Sequence, residues 1–207
     1  NKLAVFGMIL FALILLVAIF ADAIVNYSVA TTQVAADRLL SPNAEHWFGT
    51  DNYGRDLFAR IVHGSRNSLL VGFGSVAIGV VLGGLLGAVC GYVGGRFDAI
   101  MMRVLDSIMC IPSMMMALAI VAALGSSLVN VLLAMTISNV PWYCRIIRSS
   151  VLGVTGQTYI EAARSCGTSD FQIIMTHVLP NAMGPIIVQA TMGIGGAIIS
   201  AAGISFV

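Results

Sequence analysis

Apolar and polar residues do not alternate along this chain; they come in blocks. Leu3 to Ala21 is a continuous apolar run closed by Asp22. Roughly 20 such residues make one membrane-spanning helix. The pattern then inverts: residues 26–67 carry Asp37, Arg38, Glu45, Asp51, Arg55, Asp56, Arg60 and Arg66, too many charges for hydrocarbon. Four more apolar blocks follow, at residues 68–93, 99–124, 131–144 and 181–207. The expected organisation is a first span in residues 1–25, read as a retained span and not as a signal peptide. An extracytoplasmic loop over 26–67 and a helical core over 68–207 complete it. Proline lacks a backbone donor and crowds the preceding turn, so Pro112 should break the third span and Pro141 kink the fourth. Pro185 falls in the first turn of the fifth, where proline is tolerated. The fold class is an all-α membrane protein, a polytopic helical bundle.

Within the charged loop, Asp56 and Arg60 stand at i, i+4, with Leu57, Phe58, Ile61 and Val62 on the opposite face. That spacing predicts an amphipathic helix lying in the membrane interface, with Trp47 and Phe48 at the same level. Asp51-Asn52 does not open a calcium loop, since Gly54 is misplaced and no Glu closes it. In the second span Gly79, Gly83, Gly87, Gly91 and Gly95 recur at every fourth position. Such a row admits another helix closely, either as static packing or as a surface along which a helix slides.

A short polar stretch, residues 158–180, interrupts the last two apolar blocks. Thr158 with Glu161, and Ser169 with Gln172, have the spacing of capping boxes. Gly167 suits a left-handed helix end, and Pro180 should stop or kink the second helix. The stretch therefore reads as an elbow of two helices. Arg145, Arg148 and Arg164 precede or lie within it, and Arg96 and Arg103 flank the turn at residues 94–98. By the positive-inside rule these regions, and the N-terminus beside Lys2, are expected on the cytoplasmic side.

Composition sharpens the picture. Of 207 residues, 58% are hydrophobic and 9% charged, and mean hydropathy is +0.97. Too little polar surface exists to cover a water-soluble fold, so lipid must be the solvent for most of the chain. A net charge of +1 gives no basic field, which excludes nucleic acid as a partner. Cys90, Cys110, Cys144 and Cys166 form no Cys-x-x-Cys pair and read as small apolar residues. Arg103 and Asp106 enter the third span at i, i+3 and should pair or face the bundle interior. Met101, Met102, Met109, Met114, Met115 and Met116 crowd the same span. Thioethers adapt to varied shapes, so Met109, Met115 and Met116, with Arg103 and Asp106, are candidates for a pathway or gate; no metal site is expected.

Glu161-Ala162-Ala163, three residues, Gly167, and then Leu179-Pro180 resemble the EAA motif of ABC importer permeases. The run from His177 to Asn181 resembles the dipeptide, oligopeptide and nickel branch, as does the string from Phe48 to Asp56. The resemblance implies the type I ABC importer permease fold, with five spans of an expected six lying within this sequence and the sixth beyond Val207. It implies that the elbow is a coupling helix meeting an ATPase subunit through Tyr159, Glu161, Ala162, Ala163, Arg164, Gly167 and Asp170. His177, Leu179 and Pro180 form the hinge after it. The implied partners are a second homologous permease, two ATP-binding subunits and an extracytoplasmic solute-binding protein, in the plasma membrane of a bacterium or archaeon. ATP and magnesium would be held by those subunits. This chain carries no Gly-x-x-x-x-Gly-Lys-Ser/Thr loop, its only lysine being Lys2, so no catalytic role is expected. Di- or oligopeptides are the expected cargo, with nickel, glutathione or another small solute as alternatives. A secondary transporter would need mid-membrane carboxylates, and Asp106 alone qualifies; a scaffold subunit without a pathway is the other rival.

Overall fold

The computed structural model describes residues 2–206 and divides them into two compact units, up to Leu70 and from Val71 onward. Among the described residues all regular structure is helical, apart from one isolated bridge between Thr50 and Asp56.

The first unit opens with α1 (Lys2–Ile19), whose surface is apolar all round, Leu3, Phe6, Met8 and Ile9 included. The short helices α2 (Ala21–Ile24) and α3 (Tyr27–Thr31) follow. The end of α1 is held by Arg66: Nε donates to the Ala18 carbonyl at 2.5 Å, one terminal nitrogen to Ile19 at 2.9 Å and the other to the Asp22 carboxylate at 2.7 Å. A guanidinium at a helix C-terminus satisfies orphan carbonyls and opposes the negative end of the dipole. The hydrogen bond and charge of Arg66 hold the Asp22 carboxyl below the usual carboxylate range.

The loop up to residue 56 folds around Asp51. Its carboxylate accepts from Tyr53 N–H at 2.8 Å, Arg55 N–H at 3.0 Å, Arg55 Nε at 2.8 Å and Arg60 at 2.5 Å. Gly49 and Gly54 adopt φ +74°, and a Cβ on either would strike the backbone carbonyl of Leu40 or Val34. Phe58 stacks with Trp47 and Phe48 at centroid separations of 5.0 and 5.5 Å. Asp56 accepts from Ala59 N–H at 2.7 Å and so caps the next helix.

That helix, α4, is continuous from Leu57 to Val93. Residues 57–62 are thus the first turns of α4 and not a separate helix. Asp56 caps the helix and no proline follows before Ser68, so nothing forces the helix to end there. Its 37 residues span about 55 Å, well beyond the ~30 Å hydrocarbon core.

In the second unit α5 (Gly95–Met109) and α6 (Ser113–Leu124) meet at a 77° bend, with Pro112 at the break as expected. Helix α7 (Leu128–Thr155) runs unbroken through Pro141. After an elbow comes α10 (Leu179–Phe206). By length and composition α1, α4 and the helical stretch Asp170–Ser205 can each cross a membrane, and the bent α5–α6 pair makes a fourth candidate. The expected fourth span, inside α7, is not among them. Its Ala134, Met135, Thr136, Ser138, Tyr143, Cys144, Ile147 and Val151 are buried, so α7 is lined by protein and has less need of a lipid-like surface. Thr136 and Ser138 return their hydroxyls to the carbonyls four residues back, both at 2.8 Å.

The glycine row packs on α7. A Cβ on Gly83 would lie 2.8 Å from Cys144 N, one on Gly91 2.9 Å from the Arg148 carbonyl, and one on Gly87 would collide with the Cys144 carbonyl. The two backbones are therefore in contact. Gly95 lies apart from it at φ +62° with open space around it.

Two predictions follow from this packing and from the loop. Gly87→Ala should destabilise the detergent-solubilised protein by about 1–3 kcal/mol through overpacking, measured as a fall in Tm. Gly196→Ala, where a Cβ meets nothing within 4 Å, should not. Separately, burial resists ionisation of Asp51, but the hydrogen bonds from Arg55 and Tyr53 outweigh it and bring its pKa to about 2. A depressed carboxyl stabilises fully above the ordinary value and loses that contribution as pH falls toward the folded one. The loop should therefore loosen between pH ~4 and pH ~2, seen by amide exchange at residues 53–55. Asp51→Asn should be loose already at pH 7.

Candidate functional site

The polar stretch folds as the expected elbow, with altered details. Its first helix, α8, is Thr158–Ser165, and the N-cap is Gln157, whose carbonyl accepts from Ile160 N–H at 3.0 Å and Glu161 N–H at 3.4 Å. The Thr158–Glu161 capping box does not form. Gln157 N–H is held by the Val154 carbonyl at 3.1 Å in the turn leaving α7, which places Thr158 one position inside the helix. The Glu161 carboxylate is thereby left at the exposed surface.

Gly167 ends α8 at φ +78°, with Gly167 N–H on the Arg164 carbonyl at 2.9 Å and Thr168 N–H on the Ala163 carbonyl at 3.2 Å. This pair of bonds is a Schellman closure, which requires a left-handed residue and so favours glycine. Ser169 then caps α9 (Asp170–Ile173), accepting from Gln172 N–H at 3.4 Å. The chain does not stop or fold back at Pro180. Instead Ile174–Val178 forms a π-turn, with Leu179 N–H bonded to the Ile174 carbonyl, and Pro180 sits in the first turn of α10. Widening the turn separates the proline ring from the carbonyl it would otherwise strike. Of the proposed hinge residues, His177 and Leu179 are half-buried and Pro180 is exposed.

Ile160, Ile173 and Val178 are fully buried in the core that also contains Ile147 and Val151 of α7. Each contributes about 1.5–3 kcal/mol relative to exposure, so the elbow is fixed to the bundle and not draped on it. The polar fastening centres on Tyr92, near the end of α4. Its hydroxyl donates to Asp170 at 2.6 Å and accepts from Arg164 Nε at 3.2 Å, while the Arg164 guanidinium lies 4.7 Å from the ring centroid. Tyr92 thus joins both helices of the elbow to α4. Sequence reasoning missed it, because a lone Tyr at a helix end carries no distinctive spacing.

The opposite face is open. Tyr159, Glu161 and Ala162 are exposed, Ala163 is half-buried, and Phe171 is 76% exposed. Phe171 was not among the expected contact residues; a large apolar side chain at the start of a helix otherwise rich in polar groups was the available signal.

The pathway candidates are dispersed. Asp106 pairs with Arg145 of α7 and not with Arg103. On α5 the two side chains diverge: Arg103 lies in a shallow groove with Ala99, Ile100, Val104 and Ser107. A second ion pair joins α5 to α7, Asp98 with Arg148, through two bonds of 2.5 Å. Met109 and Met116 line a cavity of about 320 Å³ at the α5–α6 bend, whereas Met115 is 65% exposed and outside it.

Residues 79–207 match the model of a family described as the binding-protein-dependent transport system inner membrane component. Residues 1–42 match the N-terminal transmembrane domain of oligopeptide transport permease C. The chain is 46% identical over 206 residues to a dipeptide transport system permease protein of Alkalihalophilus pseudofirmus, covering 100% of this chain and 67% of the relative. It is 43% identical over 207 residues to a probable D,D-dipeptide transport system permease protein of Escherichia coli K12, covering 100% of this chain and 69% of the relative. To a glutathione transport system permease protein of Pectobacterium atrosepticum it is 40% identical over 199 residues, 95% of this chain and 66% of the relative. The chain thus spans about two thirds of the length of these relatives.

Tyr92→Phe keeps the ring under Arg164 and removes the hydroxyl. At about 0.5–1.5 kcal/mol per hydrogen bond, amide exchange across residues 158–173 should accelerate roughly two- to tenfold or more, while residues 140–151 stay protected.

Proposed function

Because this chain belongs to the family of binding-protein-dependent transport system inner membrane components, the ABC importer permeases, we propose that it forms half of a translocation pathway for di- or oligopeptides. In this reading it is a multi-pass subunit of a bacterial or archaeal plasma membrane, with its N-terminus in the cytoplasm. It works with a second homologous permease, two ATP-binding subunits that hold ATP and magnesium, and an extracytoplasmic solute-binding protein. The chain itself contributes no catalytic group.

What carries the mechanism is the two-sided elbow. One side is buried through Ile160, Ile173 and Val178 and fastened through Tyr92; the other presents Tyr159, Glu161, Ala162 and Phe171. Movement of an ATPase subunit against the exposed side is then delivered to α4, α7 and α10 together, because packed interfaces switch between discrete arrangements and do not stretch. Nucleotide binding biases the bundle by its differential affinity for the two access states. Glu161, Ala162, Ala163, Arg164, Gly167 and Asp170 divide between the two sides: Arg164 and Asp170 fasten, Gly167 shapes the corner, and Glu161 with Ala162 faces outward. A dipeptide permease and a D,D-dipeptide permease among the relatives support peptide cargo. Glutathione, itself a tripeptide, is the alternative favoured by a third.

The Glu161 carboxylate accepts no helix-capping hydrogen bond, so Glu161→Gln should leave the fold intact. In proteoliposomes containing the whole complex, peptide uptake and peptide-stimulated ATP hydrolysis should fall about tenfold, the scale of a lost charged hydrogen bond. Normal values for both would remove Glu161 from the coupling surface.

A further inference from the structure

The cavity at the α5–α6 bend holds a group that the fold does not use. Its walls are Met109, Pro112, Ser113 and Met116 on the bent pair, and Ser138, Asn139 and Trp142 on α7. A smaller space of about 30 Å³ shares Ser113, Ser138 and Asn139 and continues to Ser200 and Ile204 of α10. The Ser138 hydroxyl is occupied by the Ala134 carbonyl at 2.8 Å. The half-buried amide of Asn139, in contrast, has no hydrogen-bond partner among the described residues, and neither has the Trp142 indole. Asn139 stands nine residues after Asn130 and six before Arg145, about 13 and 9 Å along the helix, so it lies well inside the apolar stretch. The amide is thus open to the cavity and free to hydrogen-bond a guest there.

Resting on the peptide-permease reading, we infer that Asn139 is a main-chain contact for the transported peptide, with Met109, Met116 and Trp142 forming the wall against its side chains. An Asn side chain carries an acceptor oxygen and two donor hydrogens, so it matches a peptide group, which offers one C=O and one N–H. Every peptide bond except one to a proline nitrogen has that feature, whatever the side chains. Unbranched thioethers repack around different side chains, which suits a site that must hold cargo without selecting it. About 320 Å³ is at the low end for ligand pockets and accommodates a segment of two or three residues.

The test compares a dipeptide with its ester analogue, in which oxygen replaces the N–H, for uptake by the whole complex in proteoliposomes. Wild type and Asn139→Leu, which keeps the branching at Cγ and removes the amide, are measured at saturating binding protein. The binding protein's own preference is the same in both and cancels when their amide-to-ester ratios are divided. The wild-type ratio should exceed that of Asn139→Leu by about two- to tenfold, the value of one hydrogen bond, and Asn139→Gln should restore part of it. Equal ratios overturn the inference while leaving peptide transport by the wild type, and hence the parent reading, intact. Failure of Asn139→Leu to copurify with the second permease also overturns it, since Asn139 would then bond across the subunit interface. If the wild-type complex moves no peptide at all, the parent reading fails and this inference falls with it.

Discussion

The second unit depends on the contact between two helix backbones. Gly83, Gly87 and Gly91 of α4 leave no room for a side chain against residues 140–151 of α7, so main chain meets main chain. In lipid there is little hydrophobic force between helices, and close van der Waals packing of small residues takes its place. With α4 this near, Tyr92 reaches Asp170 and Arg164. Arg148, beside Gly91, reaches Asp98 of α5. The polar fastenings of the elbow and of α5 thus depend on the glycines, because hydrogen bonds of 2.5–3.2 Å do not survive an added side chain's width.

Much of this was legible in the sequence. Block hydrophobicity announces spans because the bilayer demands a fixed apolar length, and Pro112 marks its break because a missing donor has no local remedy. Gly167 announces its corner because its left-handed backbone disfavours other residues. What was not legible came from competition between alternatives of similar local energy. By side chain Thr158 is the better N-cap of α8, yet the turn leaving α7 puts Gln157 in that position. Arg103 and Arg145 both could meet Asp106, and only the bundle places Arg145 across from it. Tyr92 and Asn139 are single residues whose meaning lies in what stands 70 residues away or in the emptiness beside them.

Helix α7 shows the same lesson from the other side. Its Asn139, Pro141, Arg145 and Arg148 dilute its hydropathy, so a window over sequence undervalues it as a span. Surrounded by α4, α5, α6 and α10, it needs compatibility with protein more than with lipid. A long helix whose composition falls short of a membrane segment is thus the one on which its neighbours pack, and its Arg145 and Arg148 pair with Asp106 and Asp98 of α5.

The π-turn at Ile174–Val178 carries a geometric consequence. In an ordinary α-helix, residues five apart point in directions about 140° different, at 100° per residue. Bonding from i to i+5 makes such residues neighbours instead. Ile173 and Val178 are five apart, and both are completely buried. The extra residue in the turn therefore works as a phase correction: it lets a short helix outside the bundle and a long helix within it press the same side inward, with Pro180 marking where the correction ends.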